Sequence, residues 1–470
     1  MSIRRATLFC TVVIVFLAAA AALRAIAQGG PPPEVREHIQ AFTAALNHGG
    51  AEAWEQMAQA HFAPGFLARR SAAERRELFE RLRGEFGRIS IDRVTRRGPA
   101  APLELHVRTT TGEAARILLQ LEAASPFRID GIGVEVGAGE GDDQPGVPPP
   151  PVNAGMSNEA LARALDGYLS ALAAQDVLSG VVLVAKQGTV VFEKAYGYAD
   201  RANKRPNATA TRFNLGSINK IFTRTAIAQL VARGKLAYTD TLGSLMPDYP
   251  QQATRPATVE QLLDHRAGVA DVFGDEFART PKDRFRSNAD YFRFVSSQPP
   301  LFAPGASNQY CNGCYIALGA IVEKVAGVPY EKYIADEIYA PAGMKDAGPL
   351  QSDAITPNVA MGYTRRGADG QLRSNIFLHG ASGSAAGGGY ATAADLLAFD
   401  TAMKAGKLLD AKVAASFYGG RGFAGGAPGT SALLESDGAW TVIVLTNLDP
   451  PTGQRIGAAI TRALRALPSH

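Results

Sequence analysis

The sequence predicts a small α+β cone-like domain over residues 34–137, followed over residues 157–470 by an α/β sandwich, an antiparallel sheet flanked by helices. Three observations predict it. Residues 34–137 run through helical patterning first and alternating strand patterning after. Residues 138–156 then turn to Gly, Asp and Pro, ending in Pro148 to Pro151, a composition that makes a stiffened linker rather than a core. The remainder opens with sheet, passes through a long helical middle and closes on β-branched runs.

Before the first domain, Arg4 and Arg5 precede an apolar run from Ala6 to Leu23 and then Ala25-Ile26-Ala27. Charged start, apolar middle and small-x-small end are the order of a secretory leader, so residues 1–27 are expected to be removed and the protein to be exported, periplasmic or secreted. A retained leader would anchor the chain in a membrane instead. Without Arg4, Arg5 and Arg24 the chain carries 45 Lys and Arg against 44 Asp and Glu, about +1. So even a balance excludes nucleic acid as an expected partner. Composition that is 46% hydrophobic and 20% charged excludes disorder over the whole length.

In the first domain, helical spacing covers Val35 to Phe42 and Ala51 to Phe62, and Ser71-Ala-Ala-Glu74 is a capping box that opens a third helix to Arg83. Strand alternation follows in Ile89 to Val94, Leu103 to Thr109, Ala115 to Glu122 and Phe127 to Val136. This order weakly resembles the NTF2-like family. His38, His48, His61 and His106 share no short motif and are read as structural.

The second domain begins with a helix from Asn158 to Ala174, then two β-branched runs joined at Lys186-Gln-Gly188, a hairpin. Ser217-Ile-Asn-Lys220 opens an apolar helix that ends at Gly234. Three residues apart on a helix, Ser217 and Lys220 share a face one turn apart. A serine hydroxyl is a poor nucleophile at neutral pH, and a partly desolvated amine beside it can take its proton. Alone, this tetrapeptide is a weak signal. Cys311 and Cys314 form a single C-x-x-C; with no further paired ligands they imply no metal, and they are read as two small buried side chains near the site rather than as the disulfide that export would permit. No cofactor is expected.

Context strengthens Ser217. Phe213-Asn-Leu-Gly-Ser-Ile-Asn-Lys-Ile-Phe222, followed by Ala226 to Leu236, closely resembles the class C β-lactamase and esterase branch of the serine β-lactamase and penicillin-binding-protein superfamily. Leu262-Leu-Asp-His265-Arg-Ala-Gly268 resembles that family's loop after the next helix, with Thr258-Val-Glu-Gln261 a capping box and His265 structural. Tyr310-Cys-Asn312 matches its Tyr-x-Asn element in residues and position. The resemblance implies a β-lactamase/transpeptidase-like sandwich with Ser217, Lys220, Tyr310 and Asn312 as catalytic residues, Asn312 holding Lys220 and the substrate carbonyl. A tyrosine titrates near 10 and serves as a base only where cations lower its pKa, and Lys220 is the expected cation.

The family's third element is a strand carrying Lys or His, one residue, then Gly. Phe423-Ala424-Gly425 aligns with it, so Phe423 stands where the cation belongs. The backbone survives the change: the resemblance implies an oxyanion hole from the N–H groups of Ser217 and Gly426. Upstream, Ala414 to Phe423 is short where the family has a further strand and turn, which leaves the sheet's edge open to question. His379, in the glycine-rich run Leu378 to Tyr390, is read as a loop residue rather than a replacement cation. The implied activity is hydrolysis through an acyl-enzyme, first of small acyl esters, which need less help at the leaving group, and second of β-lactams or D-amino-acid peptides. The alternative, motivated by Phe423, is a catalytically weakened relative that binds peptide or cell-wall fragments.

Overall fold

The computed structural model describes residues 31–467 apart from 73, 74, 77, 80, 81, 84–86, 97–101, 110–113, 123, 137–146, 307, 308, 350, 366–370, 419–421, 438 and 466. The chain divides into two compact units after Gly141. The leader expected over residues 1–27 lies outside the described residues.

In the first unit, helices α1 (Pro33–His48), α2 (Ala51–His61) and α3 (Pro64–Arg69) precede strands β1 (Ile89–Arg96), β2 (Leu103–Thr109), β3 (Ala114–Leu121) and β4 (Ile129–Val136). The four strands form an antiparallel meander in chain order. Pro33 starts α1 where a missing N–H costs nothing, and Val35, Ile39, Phe42 and Leu46 give it one buried stripe. That stripe packs on Trp54 of α2, whose ring meets Phe42 and Phe62 edge to face at 5.5 and 6.0 Å. Leu105, Val107, Ile117 and Leu119 close the core from the sheet. In the segment expected as a third helix, Ala72, Arg75, Arg76, Leu78, Phe79, Leu82 and Arg83 are helical, while Glu74 of its capping box lies outside the described residues. Helix α3 is an addition to the predicted set.

The end of the expected linker belongs to the second unit. Val147 is buried with Leu161 and Leu165, so residues around it add to a core instead of spanning a gap; residues 137–146 lie outside the described residues.

The second unit opens with α4 (Asn158–Ala174), capped as its sequence implies by Ser157, whose Oγ accepts the Ala160 N–H at 3.2 Å. Strands β5 (Gly180–Lys186) and β6 (Thr189–Tyr196) follow, joined through Gln187 at φ 50° and Gly188 at φ 77°, the two left-handed residues of a tight hairpin turn. The helical middle includes α5 (Lys220–Ala232), α6 (Asn312–Ala326) and α7 (Ala393–Lys404). Strands β7 (Gly422–Ala427), β8 (Thr430–Asp437) and β9 (Trp440–Thr446) and helix α8 (Thr452–Leu464) complete it.

The sheet runs β7-β8-β9-β5-β6 with every pair antiparallel. Val182 of β5 is thus registered with Val444 of β9, so the sheet ties the start of the unit to its end. Both faces are covered, which is why β5 reads as an unbroken apolar run. Val182 and Val184 pack on Leu165 and Leu169 of α4 and Ile456 and Ile460 of α8. Val181, Leu183 and Ala185 face the helical middle through Phe222, Ile227 and Phe399. Among the described residues upstream of β7 stands a short helix, Ala411–Phe417, where the resemblance implies a further strand, and β7 is an edge of the sheet. Its free edge faces the turn that carries Ser217.

Candidate functional site

Ser217 stands in a single 3-10 turn, Gly216–Asn219, that runs directly into α5. Two local devices set it. Asn214 Oδ1 accepts the Gly216 N–H at 2.8 Å, and Gly216 takes φ 50°, a conformation that favours glycine. Space demands glycine too, because a Cβ at Gly216 would lie 2.8 Å from the Gly426 nitrogen. Across the gap, a Cβ on Gly425 would lie 1.9 Å from the Leu215 carbonyl oxygen. These two glycines let β7 close on the nucleophile turn.

One helical step on, Lys220 is only 8% exposed. Its Nζ donates to Ser217 Oγ at 3.1 Å, to Asn312 Oδ1 at 2.8 Å and to the Ala386 carbonyl at 2.5 Å. Burial pulls its pKa down to about 7, against an upward pull from Asp271. Tyr310, in the extended segment just before α6, donates its hydroxyl to Ser217 Oγ at 2.7 Å. The four residues expected from sequence are therefore linked: Lys220 and Tyr310 both reach the Ser217 hydroxyl, and Asn312 joins through Lys220.

Tyr310 corrects one expectation. Lys220 lies 4.8 Å from its ring, yet the phenol is pushed up to about 12, burial outweighing the hydrogen bond with Ser217. Half of the residue's surface remains exposed. The shifts run in opposite directions: burial favours the neutral amine of Lys220 and the protonated phenol of Tyr310.

Gly426 is paired with Ser431 one step beyond the Ala427 and Thr430 pair that closes the two-residue turn. In an antiparallel hairpin the closing pair exchanges hydrogen bonds and the next does not, so the Gly426 N–H points off the edge of the sheet toward Ser217. Its nitrogen and that of Ser217 form the candidate oxyanion hole.

Phe423 does not enter the cleft. It turns inward and stacks on Tyr418, centroids 5.3 Å apart and planes at 16°, while the Tyr418 hydroxyl donates to buried Asp400 at 2.9 Å. Ala424 is exposed on the opposite face, and Gly425 is the close-approach residue. The third element thus supplies backbone without charge. His379 lines the cleft, with Nδ1 hydrogen-bonded to the Gly380 carbonyl at 2.8 Å.

His265 is structural, as its sequence context implies. Its Nδ1 accepts the Cys311 N–H at 3.1 Å, its ring lies 4.8 Å from that of Tyr310, and burial lowers its pKa to about 4. The cysteines overturn the reading as separate thiols: Cys311 and Cys314 are joined in a disulfide across the first turn of α6, bracketing Asn312. A turn of helix brings residues i and i+3 within bonding range, which the count of ligands in the sequence does not reveal.

Asp271 is the site residue that sequence reasoning missed. Asn312 Nδ2 donates to its two carboxylate oxygens, each at 3.2 Å, and the Asn312 backbone N–H to Oδ2 at 3.3 Å. This fixes the amide so that its oxygen faces Lys220. Nothing in Ala270-Asp271-Val272 signals it, since a lone acidic residue in a loop is ordinary. The cleft above these groups has a volume of about 530 Å³ and is lined by Ser217, Asn312 and Gly426 together with several apolar side chains.

A β-lactamase family model matches residues 162–429, more than half of the chain. The chain belongs to the β-lactamase family. Among curated relatives, esterase EstB of Burkholderia gladioli is 31% identical over 203 residues, covering 40% of this chain and 52% of that protein. A D-aminopeptidase of Cereibacter sphaeroides is 31% identical over 252 residues, covering 52% and 46%. The chain spans about half the length of the curated relatives it matches. In three dimensions it resembles a penicillin-binding protein from Bacillus halodurans at 26% identity and TM-score 0.57, over 64% of this chain and 98% of that one. The antiparallel sheet with helices on both faces is the β-lactamase-family fold, and Phe423 is this member's departure from the charged third element that the resemblance implies.

Proposed function

We propose that the chain is a serine hydrolase that works through an acyl-enzyme on Ser217, with small acyl esters as first substrates and β-lactams or D-amino-acid peptides second. The observation that carries this is Ser217 Oγ held by both Lys220 Nζ at 3.1 Å and Tyr310 Oη at 2.7 Å, beside the outward N–H of Gly426.

With its pKa near 7, a large fraction of Lys220 is neutral at neutral pH and takes the Ser217 proton as Oγ attacks the carbonyl carbon. Asn312 Oδ1 and the Ala386 carbonyl accept from the ammonium so formed. The carbonyl oxygen becomes an oxyanion between the Ser217 and Gly426 N–H groups. As the tetrahedral intermediate collapses, the bond to the leaving oxygen breaks and that oxygen takes up the proton held on Lys220, while the Tyr310 hydroxyl donates to Ser217 Oγ beside it. Water then attacks the acyl-enzyme by the same route and restores Ser217. An alkoxide leaves more readily than an amide nitrogen, so esters suffer least from the absent third-element cation.

The test is intact mass after a fluorophosphonate probe, for the wild type and Ser217→Ala. One adduct, absent from the variant, is expected; no adduct on the wild type removes the hydrolase reading. Phe423 favours a second reading, a binding protein for peptide or cell-wall fragments. It predicts no turnover in either form and equal ligand affinity in both.

We also propose that the protein is exported, on the leader-like order of residues 1–27 and on the Cys311–Cys314 disulfide, a bond that persists in oxidising compartments. The mature protein is then expected to begin at Gln28, which N-terminal sequencing checks; an unprocessed cytoplasmic chain contradicts it.

A further inference from the structure

Exposed large apolar side chains gather around the cleft above Ser217. Phe273 is 59% exposed, Phe377 82% and Leu378 44%, and all three line that cleft. Phe277, edge to face with Phe273 at 5.3 Å, carries the wall inward. Aromatic surface left in water beside a nucleophile marks a place that an apolar ligand covers.

The basic side chains at the cleft already have partners, His379 through Nδ1 at the Gly380 carbonyl. Lys282 donates to the carbonyls of Phe277 at 2.5 Å, Ala278 at 3.2 Å and Thr280 at 2.7 Å. Lys220 is spent on Ser217, Asn312 and Ala386. The position expected to hold a cation carries Phe423, stacked away on Tyr418. No carboxylate appears among the described lining residues, so the cleft offers no counter-ion to a substrate ammonium group, and the three N–H donors of Lys282 are already taken up by carbonyls rather than free for a substrate carboxylate.

We propose that the substrates are uncharged esters bearing an apolar arm of medium length, the arm lying along Phe273, Phe277, Phe377 and Leu378. The proposal rests on the hydrolase reading and reorders its substrates: medium-length apolar esters stand above the smallest acyl esters, and substrates that carry a carboxylate next to the scissile bond are poor ones. A fully buried methylene contributes about fourfold in affinity. Half that burial over the methylenes that separate an acetyl from an octanoyl group gives roughly 50-fold.

The experiment compares kcat/KM for p-nitrophenyl acetate, p-nitrophenyl octanoate and a chromogenic cephalosporin carrying a free carboxylate, in the wild type and in Phe377→Ser, with fluorophosphonate labelling of Ser217 run in parallel. Phe377 is exposed, so its replacement leaves folding intact. The expected result is an octanoate-to-acetate ratio on the order of 50 in the wild type, about tenfold lower in Phe377→Ser, with the cephalosporin the poorest substrate. Labelled Ser217 with a ratio near one, a ratio unmoved by Phe377→Ser, or a preference for the cephalosporin overturns the apolar-arm proposal and leaves the hydrolase reading standing. No labelling and no turnover of any substrate overturns both.

Discussion

Replacing Asp271 by Asn tests how this site sets the proton state of its base. Asp271 touches no reacting atom; it holds the Asn312 amide at 3.2 Å, and that amide holds Lys220 at 2.8 Å. With roughly 2 Å across the amide, the carboxylate lies no more than about 8 Å from the ammonium. At an effective dielectric constant near 20, that separation gives about 2 kcal/mol of attraction, on the order of one pH unit in the pKa of Lys220 once solvent takes its share. The sign follows from the base's role. Asp271 favours the charged amine, so removing its charge favours the neutral amine and lowers a pKa already near 7. The assay is the pH dependence of kcat/KM for p-nitrophenyl acetate. The wild type is expected to show an acid limb near pH 7, and Asp271→Asn the same limb about one unit lower, with the one remaining oxygen of the isosteric side chain still able to accept from Asn312. A limb that stays in place or moves upward refutes the assignment of Lys220 as base and of Asp271 as the group that tunes it.

Three other outcomes are expected. Tyr310→Phe removes the donor to Ser217 Oγ and lowers kcat for ester hydrolysis by about 10²-fold with KM little changed, measured by steady-state kinetics. Phe423→His does not restore the third-element cation, because the side chain is directed into the stack on Tyr418; kcat/KM fails to rise and denaturant titration shows a loss of about 1–3 kcal/mol. His265 has a folded pKa near 4, below its ordinary value, so the unfolded chain takes up a proton first as the pH falls. Stability present above about pH 6.5 is then lost toward pH 4, by at most about 3 kcal/mol; a His265→Asn variant is expected to show a shallower loss in unfolding curves across that range.

Local signals fixed much of this protein in advance. Helix α4 begins and ends at the predicted residues because Ser157 caps an evenly spaced apolar stripe, and the β5–β6 hairpin follows from Gln187-Gly188 alone. Ser217, Lys220, Tyr310 and Asn312 were legible because two ordered motifs name them, and the geometry joins all four. What the sequence did not carry depends on contacts between distant segments. The pKa of Tyr310 turns on its packing, where burial outweighs the hydrogen bond with Ser217. Asp271 becomes part of the site only because its loop meets the start of α6. Whether Phe423 replaced a cation in the cleft or left it depended on which way the strand faced, and the stack on Tyr418 draws the ring inward. The sequence by itself thus determined which residues meet at the candidate site, through short-range spacing and capping; only the tertiary structure decided the direction in which their pKa values move and the apolar character of the cleft, because desolvation and side-chain direction are properties of the packed chain.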